Sequence, residues 1–286
     1  MTWRETIGKT SAWLAGKSVP DAQTASELLA ARLLGCGRGT LGQALSREVP
    51  ERFLEAMRRG MARLAAGEPV QYVIGEWDFR SLTLKCDRRA LIPRPETEEL
   101  VTRVLAWFKA TADGSPRLVI DVGTGTGAIA LSLAKEAGPE VAVLATDVSG
   151  DALALARENA ALCGLEGRVS FAAMDGLDDL DEPGVADAIV SNPPYVASGE
   201  IAALDPRVRD FEPRLALDGG PQGLDFYERY LADALNVLKP GGAVFFEIGE
   251  AQGEAVARIM SEYGFSDVRV EKDYSGLDRY ASAILP

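Results

Sequence analysis

Leu118-Val119-Ile120-Asp121-Val122-Gly123-Thr124-Gly125-Thr126-Gly127 decides the fold. Residues 118–122 form a short apolar run of strand type, and three glycines spaced by threonines end it. Residues 128–135 then resume at helical spacing. A strand that turns on glycine into a helix lets the backbone approach a ligand closely and aims the N–H groups of the helix start at an anionic group. The same alternation continues downstream. Strands are expected at 141–146, 169–173, 186–191, 243–248, 267–270 and 281–285, with helices at 151–162, 227–237 and 253–262 between them. Strands alternating with helices in this way give an α/β fold built on a Rossmann-like doubly wound sheet.

Upstream the texture is different. Residues 1 to about 66 show no alternation of strand type, and Leu28, Leu29, Ala31, Leu33 and Leu34, then Phe53, Leu54, Met57, Met61 and Leu64, recur at helical spacing. Gly35 to Gly39 and Val49-Pro50 interrupt them, which predicts a small N-terminal helical-bundle domain of several short helices. Between Gly67 and Pro95 the pattern changes again, and Phe79 to Lys85 alternates like one short exposed strand. Pro93 and Pro95 cannot lie inside a helix, while Glu96-Thr97-Glu98-Glu99 makes an acidic first turn suited to a helix N-terminus. The reading is therefore a helical domain at 1–70, a hinge at 71–95 and a larger domain at 96–286. A length of 286 residues also favours two domains.

Composition narrows the chemistry. The chain has no histidine, which removes the commonest general base and the commonest transition-metal ligand. Three cysteines, Cys36, Cys86 and Cys163, are odd in number and far apart, so they read as reduced packing residues rather than a disulfide framework or metal site. No stretch approaches the roughly 20 apolar residues of a membrane helix, and the start lacks the apolar block of a signal peptide, so the expected location is the cytoplasm. Residues 1–90 carry 14 Lys and Arg against 10 Asp and Glu, while the remainder carries 16 against 33. A domain so acidic repels a phosphate backbone, which makes nucleic acid a poor direct ligand and leaves a basic protein partner easier to accommodate.

Ser191-Asn192-Pro193-Pro194-Tyr195, after the apolar run Ala188-Ile189-Val190, bears on the reaction. An amide or aromatic amino nitrogen has its lone pair delocalised and reacts poorly until hydrogen bonds hold and polarise it. The Asn192 side-chain oxygen can accept one N–H, and carbonyls around Pro193 and Pro194, where proline supplies no donor, can accept another. Tyr195 can pack flat against the planar group. The plainer reading is a strand ended by a stiff double-proline turn with the tyrosine at a core edge. Together with the glycine turn the motif points to methyl transfer onto a planar nitrogen.

The glycine turn alone is ambiguous, because Gly123 to Ala128 also satisfies the relaxed dinucleotide pattern and keeps an NAD-binding oxidoreductase as a rival. Gly127 as a third glycine, the placement of Asn192 after the fourth strand and the lack of histidine favour S-adenosylmethionine. The expected cofactor-binding residues are then Gly123, Thr124, Gly125, Thr126, Gly127, Asp147 on the ribose hydroxyls, Asp175 and Gly176 on the adenine side, and Asn192. Asp175-Gly176 reads equally well as an ordinary turn. Arg94, Glu96 and Glu98 either line the cofactor mouth or cap a helix. Phe211 to Asp218 either shape the substrate entrance or make a surface turn, and Glu247 reads as a buried strand end. No metal site is expected.

The chain resembles the bacterial N5-glutamine methyltransferases that modify peptide-chain release factors. The stretches that carry the likeness are Gly67 to Gly75, Ile92 to Glu98, the Gly-Thr-Gly-Thr-Gly turn, Ser191 to Tyr195 and Glu212 to Gly220. The resemblance implies methylation of the glutamine in a Gly-Gly-Gln motif of class I release factors, with Asn192, Pro193, Pro194 and Tyr195 holding that side chain and Asn192, Pro193 and Tyr195 as the catalytic set. It also implies a helical N-terminal domain that recognises the release factor, a β-hairpin hinge and an S-adenosylmethionine-dependent methyltransferase sheet whose last strand runs antiparallel. A monomer is expected. The family pattern carries an aromatic after the acid at Asp175, where this chain has Gly176-Leu177. A sister family that methylates a ribosomal-protein glutamine, and adenine-N6 DNA methyltransferases, share the Asn-Pro-Pro-Tyr motif and remain the alternatives.

Overall fold

The computed structural model describes residues 1–178, 180 and 182–286. The chain divides into two units, residues 1–76 with 205–211, and residues 77–204 with 212–286. The first unit is helical. Helix α1 (Trp3–Ala15) opens with a capping box, in which the Glu5 N–H donates to the Thr2 hydroxyl and the Thr2 N–H donates to the Glu5 carboxylate at 2.9 Å. Helix α2 (Ala22–Leu34) ends on Gly35 in the left-handed region, where glycine carries no Cβ penalty. A 3-10 turn (Arg38–Ala44) and Pro50 lead into α3 (Glu51–Ala65), and α4 (Val70–Ile74) follows. Trp3, Ile7, Leu29, Leu41 and Met57 make the core, with Leu14, Ala25 and Leu64 packed beside it. Gly60 on α3 faces Leu29 so closely that a Cβ there would sit 2.5 Å from the leucine Cδ2. The Met and Leu stripes of the sequence are thus the seam of this bundle.

Residues 79–85 are not one exposed strand. They form a hairpin of β1 (Glu76–Phe79) and β2 (Leu82–Lys85), turned at Arg80 with φ of 52°. Phe79, Leu82 and Leu84 are buried, because they pack with Leu100, Val101 and Val104 of α5 (Pro95–Ala110). The alternation was legible, but its two-residue turn lacks the glycine or asparagine that ordinarily announces a hairpin.

The second unit continues as β3 (Arg117–Val122), α6 (Ala128–Glu136), β4 (Val141–Asp147), α7 (Gly150–Cys163), β5 (Val169–Ala173) and β6 (Ala186–Ser191). The chain then passes through α8 (Pro206–Arg209), which belongs to the first unit. It returns as α9 (Asp225–Val237), β7 (Leu238–Glu247), α10 (Gly253–Glu262), β8 (Ser266–Lys272) and β9 (Asp278–Ile284). The seven strands are ordered β5-β4-β3-β6-β7-β9-β8. Pairings are parallel from β5 to β7, and β9 lies antiparallel to β7 and to β8. The α/β sheet with its last strand antiparallel is the one expected. Strand β7 begins five residues before the expected 243, since Gly241 and Leu285 pair through the Pro240-Gly241-Gly242 stretch that reads as a turn.

The central strands read as continuous apolar runs because both faces are covered. Val119 and Val190 face one core with α5 and α6, while Ile120, Val122 and Ile189 face another with α9 and α10. The strand order reverses between β4 and β6, the two neighbours of β3. In open α/β sheets that reversal opens a crevice at the carboxyl ends of the strands.

Candidate active site

The glycine turn caps β3. Gly123 and Gly125 have φ of 74° and 57°, which glycine adopts without strain. The N–H groups of Gly123 and Thr124 both donate to the Thr146 carbonyl, at 2.9 and 2.8 Å, so the turn folds over the end of β4. Beneath it, fully buried Asp121 accepts the Thr124 hydroxyl at 2.6 Å and the Ala130 N–H at 3.1 Å. Desolvation pushes its carboxyl up to about 7, with the neighbouring Asp147 adding to the shift. Asp121 pins the turn to the start of α6. Its only signal in the sequence is an acid inside an apolar strand. Gly127 serves α6 too: a Cβ there would meet Leu131 at 3.1 Å and Ala156 at 3.3 Å, and among the described residues it lies outside the cavity wall.

Asp147 ends β4. One carboxylate oxygen accepts the Gly125 N–H and the other the Ser149 N–H, each at 2.9 Å. Desolvation raises its pKa, and those two backbone donors work against the rise. Beyond β5, Asp175 accepts Arg229 of α9 at 2.7 Å, and Arg229 also donates to the Asp175 carbonyl. Gly176 has φ of 71°, and a Cβ there would lie 3.2–3.3 Å from Asp233, Arg229 and Tyr230. Phe226 and Tyr230, ring centroids 5.7 Å apart, line the cavity on this side.

Asn192 sits at the end of β6. Its Nδ2 donates to the Thr97 hydroxyl at 3.1 Å, and its Oδ1 is buried without a hydrogen-bond partner in the protein. Thr97, on the first turn of α5, donates in turn to the Glu247 carboxylate at 2.7 Å. Glu247 is buried at the end of β7, and desolvation pushes it up to about 7. Tyr195 packs on the core of α9 and β7, where desolvation first and then the Glu247 charge raise its phenol to about 12.

A cavity of about 320 Å³ opens beside these strand ends, within the range of small-molecule sites. Its wall takes Gly123, Thr124, Gly125, Thr126, Asp147, Asp175, Gly176, Asn192 and Pro194. Among the described residues, Pro193 and Tyr195 do not line it. Sequence reasoning missed Thr97, Met174, Phe226 and Tyr230, which do. Arg94 lines the cavity and pairs with buried Glu212, which also accepts the Ile92 N–H at 3.0 Å. Glu96 is exposed, and Glu98 accepts the Arg80 N–H at 3.1 Å away from the cavity. Of the stretch from Phe211 to Asp218, Pro213, Leu215 and Ala216 reach the wall.

Among the described residues no group of three or more acids and cysteines could hold a metal ion, and no helix is long and apolar enough to cross a membrane. The three cysteines are free; Cys86 is buried and its thiol is pushed up to about 12, chiefly by desolvation.

Residues 102–207 match the family model described as Methyltransferase small domain, and residues 5–75 match the PrmC N-terminal domain. The chain is similar to the release factor glutamine methyltransferase of Chlorobaculum tepidum, 38% identical over 98% of this chain and 96% of the relative. It is similar also to proteins of that name from Cereibacter sphaeroides, 39% identical over 96% and 95%, and Moorella thermoacetica, 39% identical over 98% and 97%. A solved methyltransferase structure from Pyrococcus furiosus matches with a TM-score of 0.51 and 21% identity, over 71% of this chain and 88% of that one. That likeness bears on the fold.

Proposed function

The chain belongs to the release factor glutamine methyltransferases, and we propose that it uses S-adenosylmethionine to methylate a release-factor glutamine in the cavity at the ends of β3, β4 and β6, with Asn192 holding the glutamine amide. The finer substrate reading is the side-chain nitrogen of the glutamine in a Gly-Gly-Gln motif of class I release factors.

The donor set suits this cofactor. Asp147 offers carboxylate oxygens to ribose hydroxyls, the turn Gly123 to Thr126 brings backbone close without side chains at its two glycines, and Gly176 with Phe226 and Tyr230 gives an apolar wall for a flat base. When bound, S-adenosylmethionine supplies an electrophilic methyl group on a positively charged sulfur. The protein has to hold the nitrogen.

The observation that carries this reading is the Asn192 Oδ1. A buried amide oxygen without a partner costs about 1–3 kcal/mol, and an incoming N–H removes that cost. A glutamine amide brings two. One goes to Asn192 Oδ1, and we assign the other to the Pro193 carbonyl, which lies outside the cavity wall but between its residues Asn192 and Pro194, in a turn whose prolines supply no donor of their own. With both hydrogens held, the nitrogen lone pair can be drawn out of conjugation and aimed into the cavity. No strong base is needed. The alkylated nitrogen is acidic and can release its proton to water, and the Tyr195 phenol, raised to about 12, stays neutral near pH 7.

Asn192→Ala tests the assignment. The methylation rate should fall by roughly 10² or more, the usual cost of one preorganised hydrogen bond, while cofactor affinity changes much less. A variant that methylates release factor at the wild-type rate overturns it.

A further inference from the structure

Asn192 is useful to an amide substrate only if its carbonyl end, not its NH₂ end, faces the cavity. The two ends of an asparagine side chain have nearly the same shape, so packing alone cannot choose between them. Hydrogen bonding can. Thr97 has one hydroxyl hydrogen, and it goes to the Glu247 carboxylate at 2.7 Å. The hydroxyl oxygen can then only accept from Asn192, and it takes the Nδ2 hydrogen at 3.1 Å. A flipped amide would set the Asn192 oxygen against a hydroxyl oxygen with no hydrogen to give.

We propose that Thr97 and Glu247 are positioning residues that set the polarity of Asn192, and that this relay, resting on the reading of Asn192 as the amide holder, makes the site competent. The three groups come from remote parts of the second unit: the first turn of α5, the end of β6 and the end of β7. Thr97 and Glu247 are both buried. Donation from Nδ2 also polarises the amide and makes its oxygen a better acceptor.

The relay has a required protonation state. An ionised Glu247 only accepts, whereas a protonated one can donate to Thr97, free the threonine hydrogen for the Asn192 oxygen and reverse the chain. The charged groups acting on Glu247 are Arg279 of β9, Arg94 before α5 and Glu96 in its first turn; the hydroxyls of Tyr195 and Tyr227 and of Tyr280 on β9 lie near enough to feel its charge. Burial pushes the group up to about 7. The relay is therefore broken at acid pH and complete above about 7.

Thr97→Val keeps the shape and removes the hydroxyl, and Thr97→Ser keeps the hydroxyl. The expected result is a fall in kcat on the order of 10-fold to 100-fold for Thr97→Val, with KM for release factor and S-adenosylmethionine affinity shifted far less, and recovery of most of kcat in Thr97→Ser. Wild-type kcat should rise with pH through about 7, and Glu247→Gln, which cannot ionise, should lose that limb. Equal rates for Thr97→Val and wild type overturn the relay; where Thr97→Val does not fold, a pH limb retained in Glu247→Gln, or absent from the wild type, overturns it. Asn192→Ala run alongside separates the two failures. If it retains full activity the amide-holder reading falls, and if it alone loses activity only the relay does.

Discussion

Asp147 accepts backbone N–H groups from two sides, Gly125 and Ser149, which fix its carboxyl in the cavity wall and oppose the desolvation that raises its pKa. Asp147→Ala should weaken S-adenosylmethionine binding by roughly 1–3 kcal/mol, the cost of leaving ribose hydroxyls without a charged acceptor. Isothermal calorimetry checks this, and unchanged affinity contradicts the ribose assignment. Asp147 and Asn192 were readable in the sequence because each ends an apolar run, where a polar side chain has to face either solvent or a ligand. Glu247 was readable as a buried strand end, but not as a partner of Thr97, and Thr97 was not readable as part of the site. Thr97 is separated from Asn192 by 95 residues and Glu247 from Thr97 by 150, and nothing local marks a threonine in an acidic helix start as the partner of either. Phe226 and Tyr230 escaped for the opposite reason, since aromatics on an amphipathic helix read as core and both in fact pack there as well.

At the scale of elements, the turn from β3 into α6 depends on Asp121. In the folded chain its carboxyl is pushed up from 3.8 to about 7, so between about pH 4 and 7 the folded state holds a proton that the unfolded state has released. The stability it contributes is fully present below about pH 4 and is lost as pH rises through 7. Glu247 adds a term of the same sign above about pH 4.5. Asp121→Asn cannot titrate, so the unfolding free energy of the variant relative to wild type should rise between pH 5 and 7.5. Urea denaturation at the two pH values measures it, and parallel curves contradict the buried-acid account. Most of the sheet was legible because parallel strands covered on both faces have to be apolar runs. The hairpin at Arg80 and the early start of β7 were less so. In each, pairing with a distant segment overrides a local signal: Phe79, Leu82 and Leu84 pack on α5, and Gly241 bonds to Leu285.

Over the whole molecule, charge and chemistry divide along the chain. The excess of Lys and Arg lies in residues 1–90, which give the cavity wall only Arg89 and Ala90, and the acidic remainder supplies the rest of that wall. That distribution suits a protein substrate better than a phosphate backbone. The family membership leads to one transfer, a methyl group onto a release-factor glutamine, and the unpartnered Asn192 oxygen is the group we propose to hold its amide. The direct measurement is incubation with a class I release factor, methyl-labelled S-adenosylmethionine and, in a separate tube, an adenine-rich DNA duplex, followed by tandem mass spectrometry of the protein. The expected result is one added methyl on the side-chain nitrogen of the glutamine in Gly-Gly-Gln and none on the DNA. Label on the DNA, or on any residue of the release factor other than that glutamine, would contradict the assignment.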